Sequence, residues 1–105
     1  MVKILTEAAL GALREFLKNS ISHALVTWDG EAHRAEIRSR AILADGRVEL
    51  GILLGTEKTI AITEIALVGA DGEIWAERPE TIELEGAGEG LLYRFRLWVR
   101  EEEED

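Results

Sequence analysis

Two histidines are the side chains best suited to metal chemistry in this chain of 105 residues. His23 and His33 flank Asp29 and Glu31, so a zinc site would need both rings and a carboxylate to converge across one turn. The two histidines lie ten residues apart and form neither an HxH nor an HExxH motif. We therefore interpret both as strand residues. The sequence predicts no metal site and no cofactor.

Acidic and hydroxyl side chains do not form a catalytic set either. Glu64 is the best single carboxylate, because a β-bulge expected at its position could turn the side chain into a site. A salt bridge at the surface or between subunits is the preferred interpretation of Glu64. Ser20, Ser22 and Ser39 lack a GxSxG turn and an evident histidine partner. No catalytic residue is predicted, and the chain is not expected to be an enzyme.

The aromatic residues indicate surface contacts instead. Trp98 shares one side of the last predicted strand with Leu92 and three arginines, Arg94, Arg96 and Arg100. Aromatic and arginine side chains on one outer face are typical of protein–protein contacts. Two alternatives remain open, a strand buried on both sides whose arginines reach solvent, and a carbohydrate-binding module. The predicted interface is Leu92, Arg94, Arg96 and Trp98, and the sugar platforms of the alternative are Trp28, Trp75 or Trp98.

One helix followed by strands must position these side chains. Residues 6–18 form the only convincing helix, with Thr6 as its N-cap. The remaining sequence reads as an antiparallel meander of about six or seven short strands with Gly-containing turns, two of which are Ala-Asp-Gly. The expected fold is α+β and mainly β, with the helix packed on a sandwich or an open barrel. The helix residues expected to be buried are Leu10, Leu13, Phe16 and Leu17.

The strand pattern makes four local predictions. In residues 58–68 the alternating isoleucines and leucines stand at even positions up to Ile62 and at odd positions from Ile65. This change of face predicts a β-bulge near Thr63 and Glu64. Pro79 is expected to end a strand, because proline cannot donate a hydrogen bond to a neighbouring strand. The last strand is predicted over residues 91–100. In the strand predicted over residues 34–43, the residues expected to point inward are Ala35, Ile37, Ala41 and Leu43.

Composition narrows the classes of partner. The net charge is −9, and the acidic tail at residues 101–105 carries five of these charges, after a single domain over residues 1–100. An acidic chain without a basic stripe is not expected to bind nucleic acid. No apolar run approaches the roughly 18 residues of a membrane span. Asn19 is the only Asn or Gln and cysteine is absent, a bias that indicates a thermophilic source.

The stretch "ITEIALVGADGEIWA", residues 62–76, carries a family resemblance. It resembles the signature of phage tail-collar fibre proteins, whose N-terminal modules anchor fibres to a tail or baseplate. Other pieces follow in the same order: an opening "LTEAALGALREFLK", a strand ending in "WDG", a "PET" and a closing "YRFRLWV". Ala66 stands where the family has glycine, and the segment from Asp29 to His33 is shorter than the family's loop.

The resemblance implies a virion structural protein that assembles as a homotrimer on other tail or capsid proteins. Its expected location is the virion, after assembly in the host cytoplasm. No catalytic residue is transferred by the resemblance, because the family's module has a structural role. The alternatives are a phage capsid decoration protein and the small carbohydrate-binding module.

Overall fold

The computed structural model describes residues 4–55, 59–85 and 90–100. One N-terminal helix packs on a six-stranded antiparallel sheet that curls into a half-barrel, which confirms the predicted α+β, mainly β fold. The strand order across the sheet is β5-β4-β1-β2-β3-β6. In chain order the elements are α1 (Glu7–Ser20), β1 (Ile21–Trp28), β2 (Glu31–Ile42), β3 (Val48–Gly55), β4 (Ile60–Gly69), β5 (Ile74–Leu84) and β6 (Gly90–Leu97).

Helix α1 covers one end of the curled sheet. Thr6 caps it, since its side-chain oxygen accepts a hydrogen bond from the backbone N–H of Ala9 at 3.1 Å. Leu10 is buried and Leu17 packs against the core, as predicted. The prediction is wrong for Leu13 and Phe16, which are 46% and 63% exposed. The helix packs mainly on β1, β2 and β3, and its buried stripe is narrower than the apolar pattern indicated.

The strands form a meander only in part. Strands β1 to β3 are consecutive neighbours, whereas β4 pairs with β1 on the other side and β6 pairs with β3. The two edges of the sheet are therefore β5 and β6. The curl brings these edges together at one point, where the Tyr93 hydroxyl donates a 2.7 Å hydrogen bond to Glu80 Oε1. Burial, with this hydrogen bond, raises the pKa of Tyr93 to about 12.

Strand β2 is shared between two parts of the sheet. Residues 31–36 pair with β1 and residues 37–42 pair with β3, with a register shift between Ile37 and Ser39. The shift places Arg40 opposite the buried Leu50, so the inward parity predicted for Ala41 and Leu43 is wrong. A bulge moves every later side chain to the other face.

The predicted bulge in β4 is confirmed. Thr27 pairs with Glu64 and Trp28 pairs with Ile62, which leaves Thr63 as the extra residue. The extra residue returns the apolar side chains on both sides of it to the core face. Those core residues of β4 are Ile60, Ile62, Ile65 and Leu67, all buried.

Two predicted strand ends are corrected. Strand β5 continues through Pro79 to Leu84, so proline does not end it. An edge strand pairs on one side only, and it therefore tolerates a residue without a donor. Strand β6 ends at Leu97 rather than at Arg100. The predicted acidic tail, residues 101–105, lies outside the described residues.

Candidate interaction surface

The outer face of β3 and β6 contains the residues predicted to form an interface. Alternation along β6 buries Phe95 and turns Leu92, Arg94 and Arg96 outward. Leu92 pairs with Leu53 of β3, and these two leucines are 43% and 48% exposed. Two large apolar side chains therefore lie side by side on the surface. We call Leu53, Leu92, Arg94, Arg96 and Trp98 the β3/β6 outer face.

The two arginines of this face bind one carboxylate. Glu49 pairs with Arg96 in the register, and its Oε2 accepts a 2.8 Å hydrogen bond from Arg96 Nε. Its other oxygen lies 3.7 Å from Arg94 Nε. Two guanidinium groups around one carboxylate leave this cluster with one net positive charge. The Glu49 side chain is largely buried beneath them, so the cluster is held in place before any partner arrives.

Trp98 lies beside the arginine cluster, just beyond the end of β6. Its indole is 52% exposed. The guanidinium carbons of Arg47 and Arg100 lie 5.6 Å and 5.2 Å from its ring centroid, within the range of cation–π contacts. The indole is therefore oriented by its neighbours while about half of it remains available to a partner.

Chemically, this surface can bind but it offers no group for covalent catalysis. It combines exposed leucines with an indole and guanidinium groups, and aromatic residues and arginine are enriched where proteins meet. The sequence interpretation missed Leu53 and Glu49 as members of this surface. The alternation of "VELGILLG" contains the signal, because Val48 and Leu50 inward require Glu49, Gly51 and Leu53 outward.

A second aromatic surface lies at the opposite edge of the sheet. Phe16 of α1 and Trp75 of β5 have ring centroids 6.1 Å apart. The Trp75 indole covers Gly69, where a Cβ would overlap the ring, and its Nε1–H donates to Asp71 Oδ1 at 3.0 Å. Trp75 is therefore fixed against its own sheet, and Phe16 is the more exposed member of the pair.

The structure separates the predicted candidates for metal binding and catalysis. His23 pairs with Glu36 and His33 pairs with Val26, and this register puts the two imidazoles on opposite faces of the sheet. The His33 ring instead stacks on Trp28, with centroids 3.6 Å apart. Glu64 pairs with Thr27 and Pro79. Within residues 4–55, 59–85 and 90–100, no three side chains of the metal-binding types form a group that could hold an ion.

Comparisons with known proteins identify no relative of this chain. Searches against protein-family models, curated proteins and solved structures found no match. No described helix has the length and apolarity needed to cross a membrane.

Proposed function

We propose that the chain is a non-enzymatic virion structural protein, an assembly or anchoring module of the phage tail fibre or collar type. The likeness of residues 62–76 to the tail-collar signature supports the virion part of the proposal. The observation that carries the assembly part is the exposed pair of Leu53 and Leu92. Adjacent apolar side chains at this level of exposure favour burial against another protein surface.

A closed homotrimer is the form of assembly that we propose. Strand β6 lies at an edge of the sheet, and natural proteins cover or charge such edges to prevent open-ended pairing. A ring buries the β3/β6 outer face of every copy and leaves no free end. Trp98 would be an anchor of the interface, and Arg94 and Arg96 would contribute to its polar rim. Other tail proteins of the virion would bind the assembled ring.

Two related proposals are weighed against this one. A capsid decoration protein would use the same surface and the same assembly, and it differs only in the particle that it binds. A carbohydrate-binding module would need an indole face open to a sugar. The stacking of Trp28 on His33 and the packing of Trp75 over Gly69 favour assembly over that alternative. The amide-poor composition supports a thermophilic source for the particle.

Light scattering at micromolar concentration tests the assembly. The expected mass is three times the 11.7 kDa of one chain. Leu92→Glu should shift the population to monomer, because it places a charge within the apolar pair that the proposed interface buries. Ile74→Glu is the matched control, since Ile74 is also an exposed apolar strand residue but lies on β5. A monomeric unmodified chain, or equal effects of both variants, would show that this face is not the interface.

The virion part requires a separate experiment. Virus particles released by the source organism are banded on a density gradient, washed at high salt and analysed by mass spectrometry. We expect the chain to remain with the particles at a constant ratio to the tail proteins. A constant ratio to the major capsid protein in tailless particles would instead assign it to the capsid. Its absence from washed particles would contradict the virion proposal.

A further inference from the structure

A cavity of about 370 Å³ opens where β2 separates from β3. Residues 31–36 of β2 pair with β1, and residues 53–55 of β3 pair with β6, so the two strands have no ladder between them over this stretch. Side chains from both faces of β2 line the opening as a result. The volume lies within the range of cavities that hold small ligands.

The floor of the cavity is apolar. Val26, Ile60 and Ile62 line it from β1 and β4, and all three are buried. The bulge at Thr63 makes this floor possible, since it returns Ile60 and Ile62 to the core face. Leu54 and Leu84 complete it. These side chains offer water no hydrogen-bonding partner. A bound ligand would therefore place its apolar part against this floor.

An aromatic wall bounds one side of the cavity. The tight turn at Asp29 and Gly30, both with positive φ, joins β1 directly to β2. The turn brings the Trp28 and His33 rings into a parallel stack, with an angle of 9° between their planes. Both residues line the cavity. The stack gives a flat, rigid surface for an alkyl or aryl group.

Among the described residues, the rim carries one uncommitted positive charge. Arg34 Nε donates to Glu36 Oε1 at 2.7 Å, and this hydrogen bond lowers the pKa of Glu36. These two charges therefore satisfy each other. Arg38 also lines the cavity, and its guanidinium forms no ion pair or hydrogen bond with any residue in the described ranges. An apolar cavity with one free guanidinium at its rim is complementary to a singly charged amphipathic anion.

We propose that this cavity binds a small amphipathic monocarboxylate, with its alkyl or aryl body on the apolar floor and its carboxylate on Arg38. The site goes beyond the assembly proposed above and does not depend on it. A monomeric chain that binds the carboxylate would support the site and contradict the proposed trimer. A trimeric chain that does not bind it would contradict the site and support the proposed assembly.

Isothermal titration calorimetry with decanoate tests the site on the unmodified chain. We expect one saturable site per chain. Decanol has the same alkyl body without the charge, and decylammonium has the opposite charge, so both should bind at least about tenfold more weakly. Amide NMR shifts recorded in the same titration should move around Trp28, His33 and Ile62.

Two variants locate the site. Arg38→Gln should weaken decanoate binding about tenfold, whereas Arg94→Gln removes a positive charge outside the cavity and should leave binding unchanged. Ala35→Leu should prevent binding by filling the cavity, since Ala35 is a half-buried lining residue. Circular dichroism confirms that each variant is folded.

Several results would overturn the proposal. These are no heat of binding, equal affinity for decanoate and decanol, or unchanged binding in Arg38→Gln. Shifts confined to Arg94, Arg96 and Trp98 would overturn it as well. If Ala35→Leu does not fold, Ala35→Val is the substitute, and full decanoate affinity in that folded variant would count against the site.

Discussion

Two turns with the sequence Ala-Asp-Gly close hairpins at the same end of the sheet, and their backbones match closely. In the first, Leu43 N donates to Arg47 O at 2.8 Å, and in the second, Gly69 N donates to Glu73 O at 2.9 Å. Gly46 and Gly72 have φ angles of 91° and 84°. The aspartate of each turn accepts a hydrogen bond from the backbone N–H two residues later.

The surroundings of the two turns differ. A Cβ at Gly46 would lie 2.9 Å from Arg14 Nη2, whereas a Cβ at Gly72 would meet nothing within 4 Å. Arg14 also donates to the Val99 carbonyl at 3.3 Å. Arg14 of helix α1 therefore covers the glycine of the first turn. The second turn also contacts the helix, since Ala70 N donates to Ser20 O at 2.8 Å, but its glycine is open. Local sequence accounts for the shared backbone, but tertiary contacts decide which of the two glycines can be replaced.

Replacing each glycine by alanine gives the largest expected effect. Both variants force a side chain into the left-handed region, at a cost of about 1–2 kcal/mol. Gly46→Ala must also displace Arg14, which adds roughly 1 kcal/mol from the lost hydrogen bond. The midpoint of urea unfolding should therefore fall more for Gly46→Ala than for Gly72→Ala. Equal shifts would mean that Arg14 moves aside without cost.

Removing Arg14 sharpens the same comparison. In an Arg14→Ala background the contact above Gly46 is gone, so Gly46→Ala and Gly72→Ala should destabilise the chain by the same amount. The double-mutant cycle isolates the coupling between Arg14 and the turn. A difference between the glycines that persists in this background would place its cause in the turn itself.

The aspartate of the first turn makes its stability depend on pH. Asp45 accepts from the Arg47 backbone and from its Nε at 2.7 Å, and these bonds lower the pKa of Asp45, the backbone bond most. A lowered pKa means that the stabilisation is present above the ordinary value of 3.8 and is lost as the pH falls through the folded value. Asp45→Asn should therefore lower the melting temperature slightly at about pH 7 and not at about pH 2. Equal losses at both pH values would exclude the ionised carboxylate as the cause.

Local signals in the sequence were sufficient for much of the fold. The N-cap at Thr6, the turn signals and the parity change near Thr63 each depend on a few neighbouring residues, and the structure contains all of them. The outward positions on β6 followed from alternation in the same way. The assembly role proposed for these positions remains a prediction.

Features that depend on distant partners could not be predicted. Pro79 lies inside a strand because β5 is an edge, and the edge is defined by pairing that the local sequence does not encode. Phe16 is exposed because the side of the helix that packs on the sheet carries Leu10, Arg14 and Leu17, of which Leu10 is buried and the other two are half-buried. The cavity depends on the place where β2 leaves one neighbour for the other, and the regular alternation of residues 34–43 gives no sign of it.

The contact between Tyr93 and Glu80 makes Tyr93 an intrinsic spectroscopic probe of the sheet. Tyr93 is the only tyrosine, so the near-ultraviolet absorption of tyrosinate reports on one position alone, where the two edges of the curled sheet meet. Ionisation of Tyr93 near pH 12 indicates that β5 and β6 are in contact. Ionisation near about pH 10 indicates that the two strands have separated. Because the folded pKa is raised, the stabilisation from this contact is present below about pH 10 and disappears as the pH rises through the folded value. Rapid mixing to alkaline pH would therefore time the parting of β5 from β6 without any added chromophore.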